Sequence, residues 1–191
     1  MMPPAPTPIR PWRQIASQLL GSYRIFTLRR DIKISPRTGR EHDFFVLDCG
    51  PWVNVVAITP DDQMVMVEQY RHGTNTVELE VPGGMIDPHD RDPVAGGLRE
   101  LREETGYEGE KARIIGDVYA NPAILTNVCH VVLVEQCRLK HPQQLDHGED
   151  LNIRLIPVPE VYQLVAANKI KHSLVMVALC YYDQVRRGLR P

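Results

Sequence analysis

The sequence predicts an α/β protein: one mixed β-sheet covered by helices on both faces, preceded by a small β-rich appendage. Three observations predict it. Short apolar runs of strand character are interspersed with three helical stretches. Between Glu78 and Tyr107 an apolar strand, a glycine turn, a loop and a carboxylate-rich helix follow one another. The first 50 residues hold alternating runs around a turn sequence and so form the appendage.

In chain order, residues 1–12 contain five prolines and read as an extended arm. Ile15 to Leu20 reads as a short helix. Ser22 to Ile34 alternates in part and reads as a strand, turning at Ser35-Pro36-Arg37-Thr38-Gly39, with Asp43 to Cys49 as its return. The segment 1–50 is thus set apart from a main domain over 51–191. Trp52 to Thr59 and Met64 to Arg71, joined at Pro60-Asp61-Asp62, form a hairpin-like pair. Glu78 to Val81 leads into Pro82-Gly83-Gly84, where two glycines let the backbone approach a ligand and expose a carbonyl. In the helix that follows, Asp92 serves as N-cap, Pro93 as N1 and Gly106 as C′. Ala112 to Tyr119 and His130 to Cys137 continue the sheet on either side of Asn121–Asn127. Leu139 to Asp150 is a long polar loop, Asn152 to Val158 a strand, and Pro159 to Asn168 and His172 to Arg187 are helices. Met64, Met66 and Met176 lie among apolar residues and read as core.

A chain of 191 residues suits one domain with a small extension. Its 24% charged and 43% hydrophobic residues are those of an ordinary globular protein. A net charge of −2 argues against a broad basic footprint for nucleic acid or anionic lipid. Cys49, Cys129, Cys137 and Cys180 lack metal-ligand spacing and read as buried thiols in a reducing compartment. No apolar run approaches a membrane span, and Met1 to Pro8 lacks the apolar core of a secretory signal. The expectation is a cytoplasmic protein.

The chemistry concentrates in Arg99-Glu100-Leu101-Arg102-Glu103-Glu104. Glu100 and Glu104 fall on one helix face, one turn apart, with Glu103 on its shoulder. Three carboxylates within a turn repel each other unless a cation or an arginine sits among them. With only oxygen ligands on offer, the cation is hard: Mg²⁺ or Mn²⁺. A solvated helical face, with Arg99 and Glu103 as an ordinary i,i+4 pair, is the plainer alternative. The ordered strand, glycine turn and loop ahead of the helix favour the metal site.

These residues resemble the Nudix hydrolase box, G-x5-E-x7-R-E-U-x-E-E-x-G-U with U bulky and apolar. Gly84, Arg99, Glu100, Leu101, Glu103, Glu104, Gly106 and Tyr107 match. The first glutamate is replaced by Asp90, and eight residues rather than seven separate it from Arg99. Asp92-Pro93 resembles the family's Ser-Pro helix start, which places the insertion at Arg91 and leaves the register of the glutamates intact. Asp90 is left without a metal role. Beyond the box, Val67-Glu68-Gln69-Tyr70-Arg71, Leu79 to Asp87, Pro122 and Asn168 to Ser173 resemble the ADP-ribose and nucleoside-diphosphate-sugar pyrophosphatase branch. The resemblance covers residues 20–187 and implies the Nudix α/β/α sandwich. It also implies a homodimer paired through the N-terminal β segment.

The resemblance implies the following roles. The Gly83 carbonyl, Glu100 and Glu104 ligate Mg²⁺ or Mn²⁺, with Glu103 near a second ion. Two or more ions act once substrate is bound. Arg99 holds Glu103, Glu80 supports the metal cluster through water, and Arg71 contacts a phosphate or the nucleotide. Glu149 on the polar loop is the general base, with Asp146 and Asp150 as rivals. The reaction implied is hydrolysis of the pyrophosphate bond of a nucleotide sugar, ADP-ribose included, to a nucleoside monophosphate and a sugar phosphate. Two alternatives are a nucleotide-sugar sensor without turnover and a hydrolase of nucleoside triphosphates or capped and dinucleotide substrates. Intact Glu100, Glu103 and Glu104 argue against the sensor. Trp12, Tyr23, Phe44, Phe45 and Trp52 are candidates for stacking on a base, though core packing is the more ordinary role for each. His72, His89, His130, His141, His147 and His172 show no zinc spacing. Gly96-Gly97 weaken the helix by about 1 kcal/mol each unless close packing requires them.

Overall fold

The computed structural model describes residues 8–190; the first seven residues of the expected arm lie outside them. The chain divides into two compact units, residues up to Cys49 with Asn121–Asn127, and Gly50–Ala120 with Val128 onward.

The first unit is an antiparallel sheet of β1 (Arg13–Ser22), β2 (Phe26–Ile34) and β3 (Glu41–Cys49), in that order. The helix expected at Ile15 to Leu20 is strand instead. A six-residue stretch is too short to hold a helix without tertiary support. Pairing with β2 from Arg13↔Ile34 to Ser22↔Thr27, across two bulges, supplies its backbone with partners. The single strand expected over Ser22 to Ile34 is broken by a tight turn at Tyr23–Ile25, closed by the Tyr23 amide donating to the Phe26 carbonyl at 2.8 Å. Asn121–Asn127 borders β3: the Leu47 amide donates to the Ile124 carbonyl at 2.8 Å, and Thr126 Oγ1 donates to Asp48 at 2.6 Å.

Asp31, fully buried, anchors this sheet. It accepts from Ser17 Oγ at 2.7 Å and from Arg29 Nε at 3.2 Å, with Lys33 Nζ at 3.8 Å. Burial pushes its carboxyl up, but the Ser17 and Arg29 hydrogen bonds and the nearby positive charges outweigh burial and leave it below its ordinary value. A carboxylate held low in the fold stabilises it above the unfolded pKa, and that contribution is lost as pH falls through the folded value. Asp31→Asn should therefore lower stability near neutral pH by about 1–2 kcal/mol. It should also flatten the acid side of the stability curve below about pH 4. Melts of both proteins across that range check it; an unchanged acid limb would contradict the assignment.

The second unit carries a seven-stranded mixed sheet, with central order β12 (Leu151–Pro157), β5 (Gln63–Arg71), β4 (Trp52–Ile58), β10 (Val128–Glu135), β9 (Lys111–Tyr119). β6 (Thr76–Glu80) pairs with β5, and β7 (Gly83–Met85) with β4. β8 (Tyr107–Glu108) and β11 (Arg138–Leu139) form a small separate ladder. The parallel β4–β10 pair sits at the centre, and both strands are nearly continuous apolar runs, as burial on two faces demands. Side chains alternate between two cores. Val53, Val55, Val132 and Val134 pack with Leu101 of α1 (Pro93–Thr105). Val56, Ile58, Val131 and Leu133 pack with Val158 and Val161 of α2 (Val158–Ala166) and Val175 and Leu179 of α3 (Ser173–Arg186). This is the α/β/α sandwich the sequence predicts.

Met64 and Met66 are fully buried, but Met176 is exposed, on the outward side of α3. Cys180 is likewise exposed and Cys49 half-buried, so only Cys129 and Cys137 fit the expected burial. Trp12, Tyr23, Phe44 and Phe45 are all exposed, which sets aside core packing for these four; Trp52 is half-buried.

Candidate active site

Helix α1 forms where its caps dictate. The Asp92 carboxylate accepts from the Ala95 amide at 2.8 Å, Pro93 occupies N1, and Gly106 closes the helix in the left-handed conformation at φ 72°. Arg91 projects into solvent from the loop before the cap and pairs with Asp92 at 2.9 Å. Gly97 lets the helix sit on the sheet: a Cβ there would meet methyls of Val53 and Val55 at 3.2 Å. That close contact offsets the helix-propensity cost of the glycine.

The expected glycine turn is instead a strand. Gly83–Met85 pairs with β4, and a Cβ on Gly83 would stand 2.2 Å from the Val53 carbonyl oxygen. A Cβ on Gly84 would stand 2.6 Å from a carboxylate oxygen of Glu100. The two glycines thus hold the strand against both the sheet and the acidic face of α1.

Glu104 is 3% exposed, and its Oε2 accepts from the Gly83 amide at 3.0 Å. Burial, helped by the charges of Glu100 and Glu149, pushes its carboxyl up to about 8 against the pull of the Gly83 hydrogen bond and of Arg71. Burial also raises Glu100, against the opposing pull of Arg99, with Glu103 and Glu149 adding to the rise. A buried and a half-buried carboxyl that both resist ionisation side by side are a site short of positive charge.

Arg99 supplies part of that charge. Its Nη1 donates to Glu100 and Glu103, each at 3.0 Å, and its Nη2 to the Met85 carbonyl at 3.0 Å. Asp90 takes its other edge, accepting from Nε at 3.2 Å and Nη2 at 2.9 Å. That hydrogen bond, opposed by burial, keeps the Asp90 carboxyl below its ordinary range. The residue without a role in the sequence is thus a clamp on Arg99. Its position at the first acid of the box was the available signal.

Arg71 and Glu80 form a bidentate pair, Nε–Oε1 2.7 Å and Nη2–Oε2 2.8 Å, with Glu80 buried. Glu149 belongs to the same neighbourhood: its charge reaches Glu100, Glu104 and Arg71. Its Oε2 accepts from the Asp146 amide at 3.0 Å, while its own amide donates to the Asp146 carbonyl at 2.9 Å. His141 sits apart from this cluster, 2.8 Å from Glu108.

The donors fit a hard divalent cation, being oxygens alone, with neighbouring carboxyls whose repulsion such an ion would relieve. Among the described residues no three acidic, imidazole or thiol side chains form a closed metal cage. Backbone, water or substrate oxygens would therefore have to complete the shell.

A NUDIX domain model matches residues 50–177. The chain belongs to the Nudix family. One relative, an ADP-ribose pyrophosphatase of Mycobacterium tuberculosis, is 28% identical over 175 residues, 91% of this chain and 84% of that protein. The Bacillus subtilis ADP-ribose pyrophosphatase is 28% identical over 139 residues, 72% of this chain and 74% of that one. The methanol dehydrogenase activator of Bacillus methanolicus is 31% identical over 139 residues, with the same two coverages of 72% and 74%. A crystal structure of an ADP compounds hydrolase superposes with a TM-score of 0.83 over 96% of this chain and 98% of its own, at 18% identity, a likeness of fold. Among the described residues of this Nudix protein, no helix is long and apolar enough to cross a membrane.

Proposed function

We propose that this protein hydrolyses the pyrophosphate bond of nucleoside diphosphate sugars, ADP-ribose among them, to a nucleoside monophosphate and a sugar phosphate. The observation that carries this reading is the buried Glu104 with half-buried Glu100 against the Gly83–Gly84 strand, beside the Arg71–Glu80 pair. The names of two relatives, both ADP-ribose pyrophosphatases, support the substrate class.

Glu100 and Glu104, with the Gly83 carbonyl, would hold Mg²⁺ or Mn²⁺, and Glu103 a second ion. Bound there, the ions would neutralise diphosphate charge and lower the pKa of water. Asp90 and Arg99 keep the glutamates in register; Arg99 positions and does not touch substrate. Glu80 holds the Nε–Nη2 edge of the Arg71 guanidinium, leaving Nη1 to donate to a phosphate oxygen. Glu149, released from the Asp146 amide, accepts the proton of the attacking water. The water oxygen bonds to one phosphorus, the bridging P–O bond breaks, and its electron pair leaves with the other phosphate. The charge that Glu149 exerts on Glu100, Glu104 and Arg71 favours it over Asp146 and Asp150.

The same reading includes a cytoplasmic homodimer. Apolar side chains stand exposed on and beside the three-stranded sheet, with Leu19 64% and Tyr23 57% exposed, and pairing two copies would cover them. Sedimentation should give twice the mass of one chain; a monomer at micromolar concentration would refute this part.

The deciding assay incubates the protein and Mg²⁺ with ADP-ribose, UDP-glucose, GDP-mannose, NADH and nucleoside triphosphates. Diphosphate sugars should be cleaved fastest, ADP-ribose yielding AMP. ADP-ribose binding with no AMP formed would instead favour the sensor.

A further inference from the structure

The loop carrying Glu149 is fastened to the metal helix by contacts the proposed reaction leaves unexplained. Along the start of the loop, backbone amides of Lys140 and His141 donate to the Gly106 carbonyl at 3.0 and 3.1 Å, and that of Gln144 donates to the Glu103 carbonyl at 2.8 Å. The Glu103 carbonyl is one of those a helix leaves without partners at its C-terminal end, and Gly106 is the residue that closes it. Between them, the Gln143 side chain does something different. Its Nε2 donates to the Glu104 carbonyl at 2.7 Å and to the Leu151 carbonyl at 3.4 Å. Leu151 begins β12, where the loop ends. One amide group therefore clips the two ends of the loop together and hooks them to the residue whose carboxylate heads the metal site. Beyond the clip, the Asp146–Glu149 turn is closed on itself, and a Cβ on Gly148 would meet nothing within 4 Å. The tip is held mainly through its base.

We propose that Gln143 is a positioning residue: it sets the distance between the Glu149 carboxylate and the α1 carboxylates, and this rests on the assignment of Glu149 as base. Gln143 itself is exposed, so its loss leaves no cavity in the core and costs its bond to the Glu104 carbonyl, which belongs to a buried residue. The consequence falls on the loop. A general base works only within hydrogen-bond reach of its proton, and small displacements are costly in rate.

The test compares the full chain with Gln143→Met, Gln143→Asn, Glu149→Gln and the double variant Gln143→Met/Glu149→Gln, with ADP-ribose and Mg²⁺. Methionine keeps the length without the donor, and asparagine keeps the donor without the reach. Each single change at 143 should lower kcat by about tenfold, with KM within about twofold of the parent and a melting temperature lowered by no more than about 4 °C. In the Glu149→Gln background, Gln143→Met should cost less than about twofold more, because its effect runs through a group already removed. Parental kcat in Gln143→Met, or a full tenfold loss on top of Glu149→Gln, overturns the inference. So does a loss of kcat that merely tracks a fall in melting temperature. Parental kcat in Glu149→Gln would overturn the assignment of the base, a result legible apart from anything at position 143.

Discussion

Glu104→Gln should abolish turnover while leaving the metal-free fold intact. The activity loss is expected at roughly 10³-fold or more, because the ion this carboxylate is proposed to hold would supply several kcal/mol of transition-state charge stabilisation. The stability argument runs the opposite way. With its carboxyl pushed up to about 8, Glu104 in the metal-free protein is largely protonated near neutral pH. A glutamine is then a near-isosteric, equally neutral replacement, and its carbonyl oxygen can still accept the Gly83 amide that Oε2 accepts at 3.0 Å. The melting temperature without metal should stay within about 2 °C of the parent, surface-like in scale despite full burial. With Mg²⁺ added, the parent should rise in melting temperature and the variant should not, since an ion that binds only the native state stabilises by mass action. Retained activity would contradict the metal assignment. Collapse of the metal-free variant would contradict the neutral-carboxyl picture.

What could be read in the sequence was what local chemistry decides. Asp92, Pro93 and Gly106 are each sufficient to specify a helix boundary, so α1 and the register of Glu100, Glu103 and Glu104 were legible before any fold was known. The interior strands were legible as continuous apolar runs. What long-range pairing decides was not legible. Ile15 to Leu20 is too short for its periodicity to choose between helix and strand, and β2 makes the choice. Asn121–Asn127 carries no sign that it will border β3. Met176 and Cys180 sit in an apolar run, yet which side of α3 meets the sheet depends on packing. In the site, Asp90 was visible as an acid but not as a clamp, because its one-residue offset hid its reach to Arg99. Gln143, a single amide in a polar loop, gave no signal at all.

Gly106→Ala should be among the most damaging single-methyl changes in the molecule, for two separable reasons. The first is conformational: φ is 72°, and an alanine there costs about 1 kcal/mol relative to glycine. The second is spatial. The added Cβ would stand 1.9 Å from the His141 carbonyl oxygen, a backbone atom that cannot swing aside. Relief requires the loop to back away from the helix, which strains or breaks the bonds from Lys140 and His141 to the Gly106 carbonyl. At about 1 kcal/mol for each bond, the total comes to roughly 3 kcal/mol. Gly39 separates the two effects. It has nearly the same φ, 70°, but nothing within 4 Å of its would-be Cβ. Gly39→Ala should therefore cost about 1 kcal/mol. Denaturant unfolding of the pair measures the difference directly, and equal losses would refute the steric part. Activity adds a further reading, because the retreating loop carries Glu149. Assayed well below its melting temperature, Gly106→Ala should lose kcat far beyond its unfolded fraction, whereas Gly39→Ala should keep the parental kcat.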